Sequence, residues 1–262
     1  MRAEDFPGFV KTHWRSVFNF AYRVTNSLKL AEEIFMQIFE RAYAEYDEIY
    51  LSDDEEMPAG LLTIAVRVFS ETPTASELTF EELDDIIRTD PARILTTPQP
   101  TETERNYYLW ELHQCCMTAV LSCLSPGERL GFILNSIMKC NCVSIASILG
   151  ITEAAVKVRL SRATKKISDY LIPRCGHINP ENPCRCSSRL EVAMSKGFIQ
   201  VLPEAQLRDR RVGQKPFEEG SLYRDVVSLY GGLPVPEPSR DLVEKVLEEW
   251  ARRDWKKSRK KE

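Results

Sequence analysis

Apolar residues in this chain recur at spacings of three and four, and that period commits most of its length to helices. Phe6, Phe9, Val10, His13, Val17, Phe20, Ala21 and Val24 share one helix face, and Asn26-Ser27 supplies a turn. Ala31, Ile34, Phe35, Ile38, Phe39, Ala42 and Tyr46 stripe a second helix, which so short a connection folds back antiparallel on the first. After an acidic, breaker-ended loop over 51–60, Leu61, Leu62, Ala65, Val68 and Phe69 predict a third, shorter helix. The period fades over 70–106, where Pro73, Pro91, Pro98, Pro100 and the run Glu81-Glu82-Leu83-Asp84-Asp85 read as an acidic linker with one short helix. It returns from Tyr107 through Leu109, Leu112, Cys116, Ala119, Val120 and Cys123. Ser125-Pro126-Gly127-Glu128 then has the pattern of a capping box ahead of a helix through Leu130, Ile133, Leu134 and Ile137. The expected fold class is all-α.

Composition narrows the function classes. With 43% hydrophobic and 28% charged residues the chain is globular rather than disordered. It has no apolar run near the ~20 residues of a membrane span, and its acidic start lacks a signal-peptide stretch, so a soluble, cytoplasmic protein is expected. A formal net charge of −4 excludes a uniformly basic nucleic-acid coat protein but not a local basic surface. Three His, no glycine-rich phosphate loop and no nucleophile elbow leave no catalytic constellation, so no enzyme is expected.

The local basic surface is easy to find. Residues 143–149 form a short helix, Gly150 suits a tight left-handed turn, and Thr152 caps a following helix. Val156, Leu160, Ala163 and Ile167 face inward. Lys157, Arg159, Arg162, Lys165 and Lys166 face outward. Over 150–174 there are six basic and two acidic side chains. A helix-turn-helix with cations on its second helix is what major-groove reading requires; a plain helical hairpin with a solvated basic face is the alternative.

Three segments in order carry a family resemblance: Leu124-Ser125-Pro126-Gly127-Glu128-Arg129, Ile145-Ala146-Ser147-Ile148-Leu149-Gly150-Ile151, and Ala155-Val156-Lys157-Val158-Arg159-Leu160-Ser161-Arg162-Ala163. Together they resemble the promoter-binding fourth region of bacterial RNA polymerase sigma factors of the extracytoplasmic-function type. Ala31-Glu32-Glu33-Ile34-Phe35-Met36-Gln37-Ile38-Phe39-Glu40-Arg41-Ala42-Tyr43 resembles the second region of the same family. The resemblance implies two helical lobes. Glu32, Glu33, Gln37, Glu40 and Arg41 would face core RNA polymerase. Thr152, Ala155, Lys157, Arg159, Arg162, Lys165 and Lys166 would face promoter DNA. The chain also departs from the family pattern. Glu33 and Met36 stand where Asp and Gln are usual, with Gln37 one place late. Gly60 replaces a Trp and Arg67 an Asn. Arg67 is the sole cation between 60 and 76, which predicts weak or unusual contact with the start-proximal promoter element.

Two stretches lie outside that pattern. Cys175, His177, Cys184 and Cys186 fall within twelve residues, spaced Cys-x-His-x6-Cys-x-Cys among two Asn-Pro steps. Three thiolates and an imidazole fit a zinc ion. A thiol switch and a plain free-thiol turn remain as readings, because the one-residue gaps are tighter than usual zinc spacings. A very similar Cys-Gly-x-x-Asn-Pro-x-Asn-Pro-Cys-x-Cys segment occurs at this place in some sigma factors. Cys115, Cys116, Cys123, Cys140 and Cys142 read as core or loop residues. The tail predicts short helices at 190–194 with a Gly197 stop, at 226–230 after Ser221, and from Ser239 through Val243, Val246, Leu247 and Trp250, before a basic end. The expected organisation is a region-2-like domain over 1–75, a linker over 76–106, a region-4-like domain over 107–174, a Cys/His segment over 175–186 and an extension over 187–262. The expected function is sigma-directed promoter initiation, with an anti-sigma factor or other regulator as a further partner. The alternatives are a non-sigma helix-turn-helix regulator and a metal- or thiol-responsive sensor.

Overall fold

The computed structural model describes residues 6–45, 57–72, 78–87, 100–199, 217–218, 225–239 and 241–258. Tyr46, the acidic residues Asp53–Glu56, the linker prolines Pro73, Pro91 and Pro98, Ser221 and the basic end beyond Ser258 lie outside them. The fold is all-α: among the described residues 74% are helical and there is no strand.

The α-helices are α1 (Phe6–Thr25), α2 (Leu28–Ala44), α3 (Ala59–Glu71), α4 (Phe80–Ile87), α5 (Glu102–Ser122), α6 (Pro126–Phe132), α7 (Cys142–Leu149), α8 (Glu153–Leu171), α9 (Cys186–Ser195), α10 (Val226–Gly231) and α11 (Leu242–Ser258). A π-helical turn, Ile133–Ile137, continues α6, with Met138 N donating to Ile133 O at 3.0 Å.

The chain groups into two compact units that interleave its sequence. One comprises 1–76, 126–160 and 235–262; the other comprises 77–125 and 161–234.

In the first unit α2 packs on α1, and α3 on α2. Ser27 caps α2 by accepting from Leu30 N at 3.3 Å. The expected stripe of α2 is buried from Ala31 to Ala42. Phe35 forms edge contacts with Phe18 (6.1 Å) and Phe39 (4.9 Å) in a fully enclosed aromatic core. Arg129 of the Leu-Ser-Pro-Gly-Glu-Arg segment is buried too. Its Nη1 donates to Val24 O, at the end of α1, over 3.1 Å, so a cation meets the negative end of that helix.

The second unit is built on α5, which opens with a reciprocal cap. Glu104 N donates to Thr101 Oγ1 (3.3 Å) and Thr101 N to Glu104 Oε2 (2.7 Å). Tyr107, Tyr108, Leu109 and Leu112 of α5 share a cluster with Leu190, Ala193 and Met194 of α9. Gly197 stops α9 at φ +73°, as its position predicts. Asp84 of α4 accepts from Tyr170 Oη (2.9 Å) and pairs with Arg174 (3.2 Å). Burial first, and then the Asp84 hydrogen bond, push the Tyr170 phenol far up.

Candidate functional site

The helix-turn-helix forms at its expected place. Asn141 caps α7 by accepting from Ser144 N at 2.9 Å. Gly150 ends that helix in the left-handed region (φ 63°, ψ 36°), and Ile151 N closes the turn on Ala146 O at 3.0 Å. Thr152 caps α8 through Ala155 N at 3.2 Å. Val156, Ala163 and Ile167 are buried, and Leu160 is half-buried. On the outer side Lys157, Arg162, Lys165 and Lys166 are exposed. Val158 between them is 49% exposed, an apolar side chain in a cationic surround. Lys165 is paired with Asp169 at 2.8 Å. Arg159 behaves differently: it is half-buried, and a Cβ on Gly127 would come within 3.2 Å of its guanidinium, so the glycine is what lets Arg159 lie along α6.

The outer face of α2 is engaged within its own unit. Of the residues expected there, Glu33, Gln37 and Glu40 are exposed, while Glu32 and Arg41 are half-buried. Arg41 pairs with Glu71 of α3, which raises the guanidinium pKa and holds the Glu71 carboxyl below its usual range. Arg67 of α3 donates to both oxygens of Glu45, at 2.5 and 2.6 Å. The sole cation expected to meet DNA between 60 and 76 thus faces a carboxylate. Helix α11 lies on α1 and α2. Ser239, just before it, donates its amide to Glu32 Oε1 at 2.9 Å, and Val246 and Trp250 line a small pocket with Met36, Phe39, Glu40 and Tyr43.

In the second unit the Cys/His segment is a tight turn between α8 and α9. Cys175 and Cys184 form an isolated parallel bridge. Cys186 Sγ lies 3.5 Å from His177 Nε2. His177 stacks on His113 of α5 at 4.2 Å, 14° from parallel, and Phe217 stands edge-on to both rings. Cys116 is one turn beyond His113. Burial, together with the neighbouring Cys184, Cys175 and Cys186 thiols, holds its pKa well above the usual thiol value. Among the described residues, no three His, Cys, Asp or Glu side chains are already gathered closely enough to hold a metal. Sequence reasoning read Cys116 as a core or loop residue and did not place His113 beside the turn. Their i, i+3 spacing on α5 was the available signal, but it looks like core packing until the turn is folded onto it.

No helix among the described residues is long and apolar enough to cross a membrane. No protein-family model matches this chain, and no curated protein matches it.

Proposed function

We propose that this protein is a sigma factor that binds core RNA polymerase and directs initiation at particular promoters in the cytoplasm, without catalysis of its own. The observation that carries the reading is the α7–Gly150–α8 unit. Both helices are capped, the turn is closed, and the second helix turns Lys157, Arg162, Lys165 and Lys166 to solvent. Those cations suit phosphates and guanine edges in a major groove. Arg159 reaches DNA in this reading by leaving α6, and Thr152 and Ala155 form the approach end of the helix.

The polymerase contact is assigned to Glu33, Gln37 and Glu40 on α2, with Glu32 and Arg41 at its edge. Ser239 and Trp250 border that face at Glu32 and Glu40, so in this reading core binding is strengthened when α11 withdraws. A regulator that holds or releases α11 fits the same surface.

The test is co-elution of the full-length chain with sigma-free core polymerase in gel filtration. A stoichiometric complex that is weakened by Glu33→Lys is the expected result. No complex with either the wild-type chain or a Trp250→Ala variant overturns the reading. A second reading, a helix-turn-helix regulator that binds duplex DNA without polymerase, is favoured by the Arg67–Glu45 pair, since it engages the one cation that the sequence places between 60 and 76 for promoter opening. Duplex binding without core polymerase, and no open complex in its presence, is the outcome that selects it.

A further inference from the structure

The turn between α8 and α9 brings its donor atoms to one side. Gly176 N donates to Cys184 O (3.1 Å) and Cys184 N to Arg174 O (3.4 Å), which sets Cys175 and Cys184 directly opposite each other. Residues paired in this way share a face. Arg185 is extended (φ −109°, ψ 135°), so Cys186, two residues past Cys184, returns to the same face. His177 lies two residues past Cys175, and its Nε2 is 3.5 Å from Cys186 Sγ. With Zn–S near 2.3 Å and Zn–N near 2.05 Å, the sulfur-to-nitrogen edge of a tetrahedral zinc site is also about 3.5 Å. That edge is already in place. Burial pushes the Cys175 thiol up, and the amides of His177 and Ile178, which hydrogen-bond to it, oppose that shift. A simple disulfide between Cys175 and Cys184 uses only two of these groups and leaves the Cys186–His177 approach without a role.

We propose that this turn is a structural zinc site in which the thiolates of Cys175, Cys184 and Cys186 and Nε2 of His177 form a tetrahedral set, tying the end of α8 to the start of α9 against α5. The ion draws Cys175 and Cys184 in toward the Cys186–His177 edge. Binding releases the three thiol protons to solvent and changes no oxidation state. His113 orients the site by stacking on His177. Cys116 abuts the set without joining it, since four donors complete the coordination of a structural zinc. This inference stands apart from the transcription reading and needs neither DNA nor polymerase.

The experiment uses the full-length chain, purified under reducing conditions without chelator, with zinc measured by elemental mass spectrometry. The expected content is about one zinc per chain, as a closed four-ligand site holds. The Cys184→Ser/Cys186→Ser variant is expected to lose it, and Cys116→Ser to keep it. Exchange of Co2+ into the wild-type chain reads the site without any variant having to fold: the expected spectrum is that of a tetrahedral, thiolate-bound ion. A wild-type chain that takes up neither ion, an octahedral Co2+ spectrum, zinc retained by the double serine variant, or zinc lost from Cys116→Ser each overturns the proposal.

Discussion

Helices α2 and α8 are both amphipathic, of 17 and 19 residues, yet they present their outer faces differently. On α8 four of the five outward cations are exposed, and Val158 sits bare among them. On α2 the outer charges are largely occupied. Arg41 meets Glu71, Glu45 meets Arg67, Glu32 accepts from Ser239, and Trp250 lines a pocket beside Met36 and Glu40. The lesson is that charge pattern along a helix identifies a surface but not its availability. A face rich in both signs finds partners within its own unit, whereas a face dominated by one sign, even with Lys165 paired to Asp169, keeps its cations at the surface, where an outside polyanion can reach them.

Four variants bear on that contrast. The largest effect is expected at the base of α2: Phe35→Ala removes a fully buried ring that touches Phe18 and Phe39, and costs about 3–5 kcal/mol in urea unfolding. The matching change on α8, Val158→Ala, stays within about 0.5 kcal/mol, because that side chain packs little. Similar costs at the two sites mean that Val158 is packed as firmly as Phe35 and that the outer face of α8 is not open. Next comes the cationic face itself. Arg159→Ala/Arg162→Ala is expected to weaken binding to an upstream promoter duplex and to lower the slope of log affinity against log salt by about 2, one for each phosphate left without its arginine. A fall of only one unit sharpens the picture, since it means that Arg159 stays on α6 in the complex. The smallest effect belongs to the cover on α2. Trp250→Ala removes an aromatic side chain from a half-exposed pocket, so core-polymerase affinity is expected to rise by roughly threefold to tenfold, the scale of a population shift worth about 1 kcal/mol. Unchanged affinity, with core binding intact, means that α11 does not obstruct this face.

Much of the helical layout was legible in the residues. The α1, α2 and α3 stripes, the Gly150 turn, the Thr152 cap, the Gly197 stop and the short helix within the acidic linker follow from spacing and local backbone chemistry, which act over a few residues and need no long-range information. The unit boundaries were not legible. Units assembled from 1–76, 126–160 and 235–262, and from 77–125 and 161–234, depend on which stripes meet, and a stripe does not name its partner. The Cys/His segment falls between these cases. Its four donors stand out by residue type, but the 3.5 Å approach of Cys186 to His177 and the stacking of His113 come from the fold.

Periodicity, caps and breakers thus settled where helices begin, end and hide their apolar sides, along with the cationic side of α8. The tertiary structure decided that Arg67 faces Glu45, that Arg159 lies along α6 over Gly127, that Ser239 binds Glu32, and that Cys116 stands beside the turn cysteines. The physical reason is range. Backbone hydrogen bonds and side-chain spacing within a helix are local, while ion pairs, aromatic stacks and thiol neighbours form between residues tens to hundreds of positions apart, and only packing selects among the many pairs that charge and size allow.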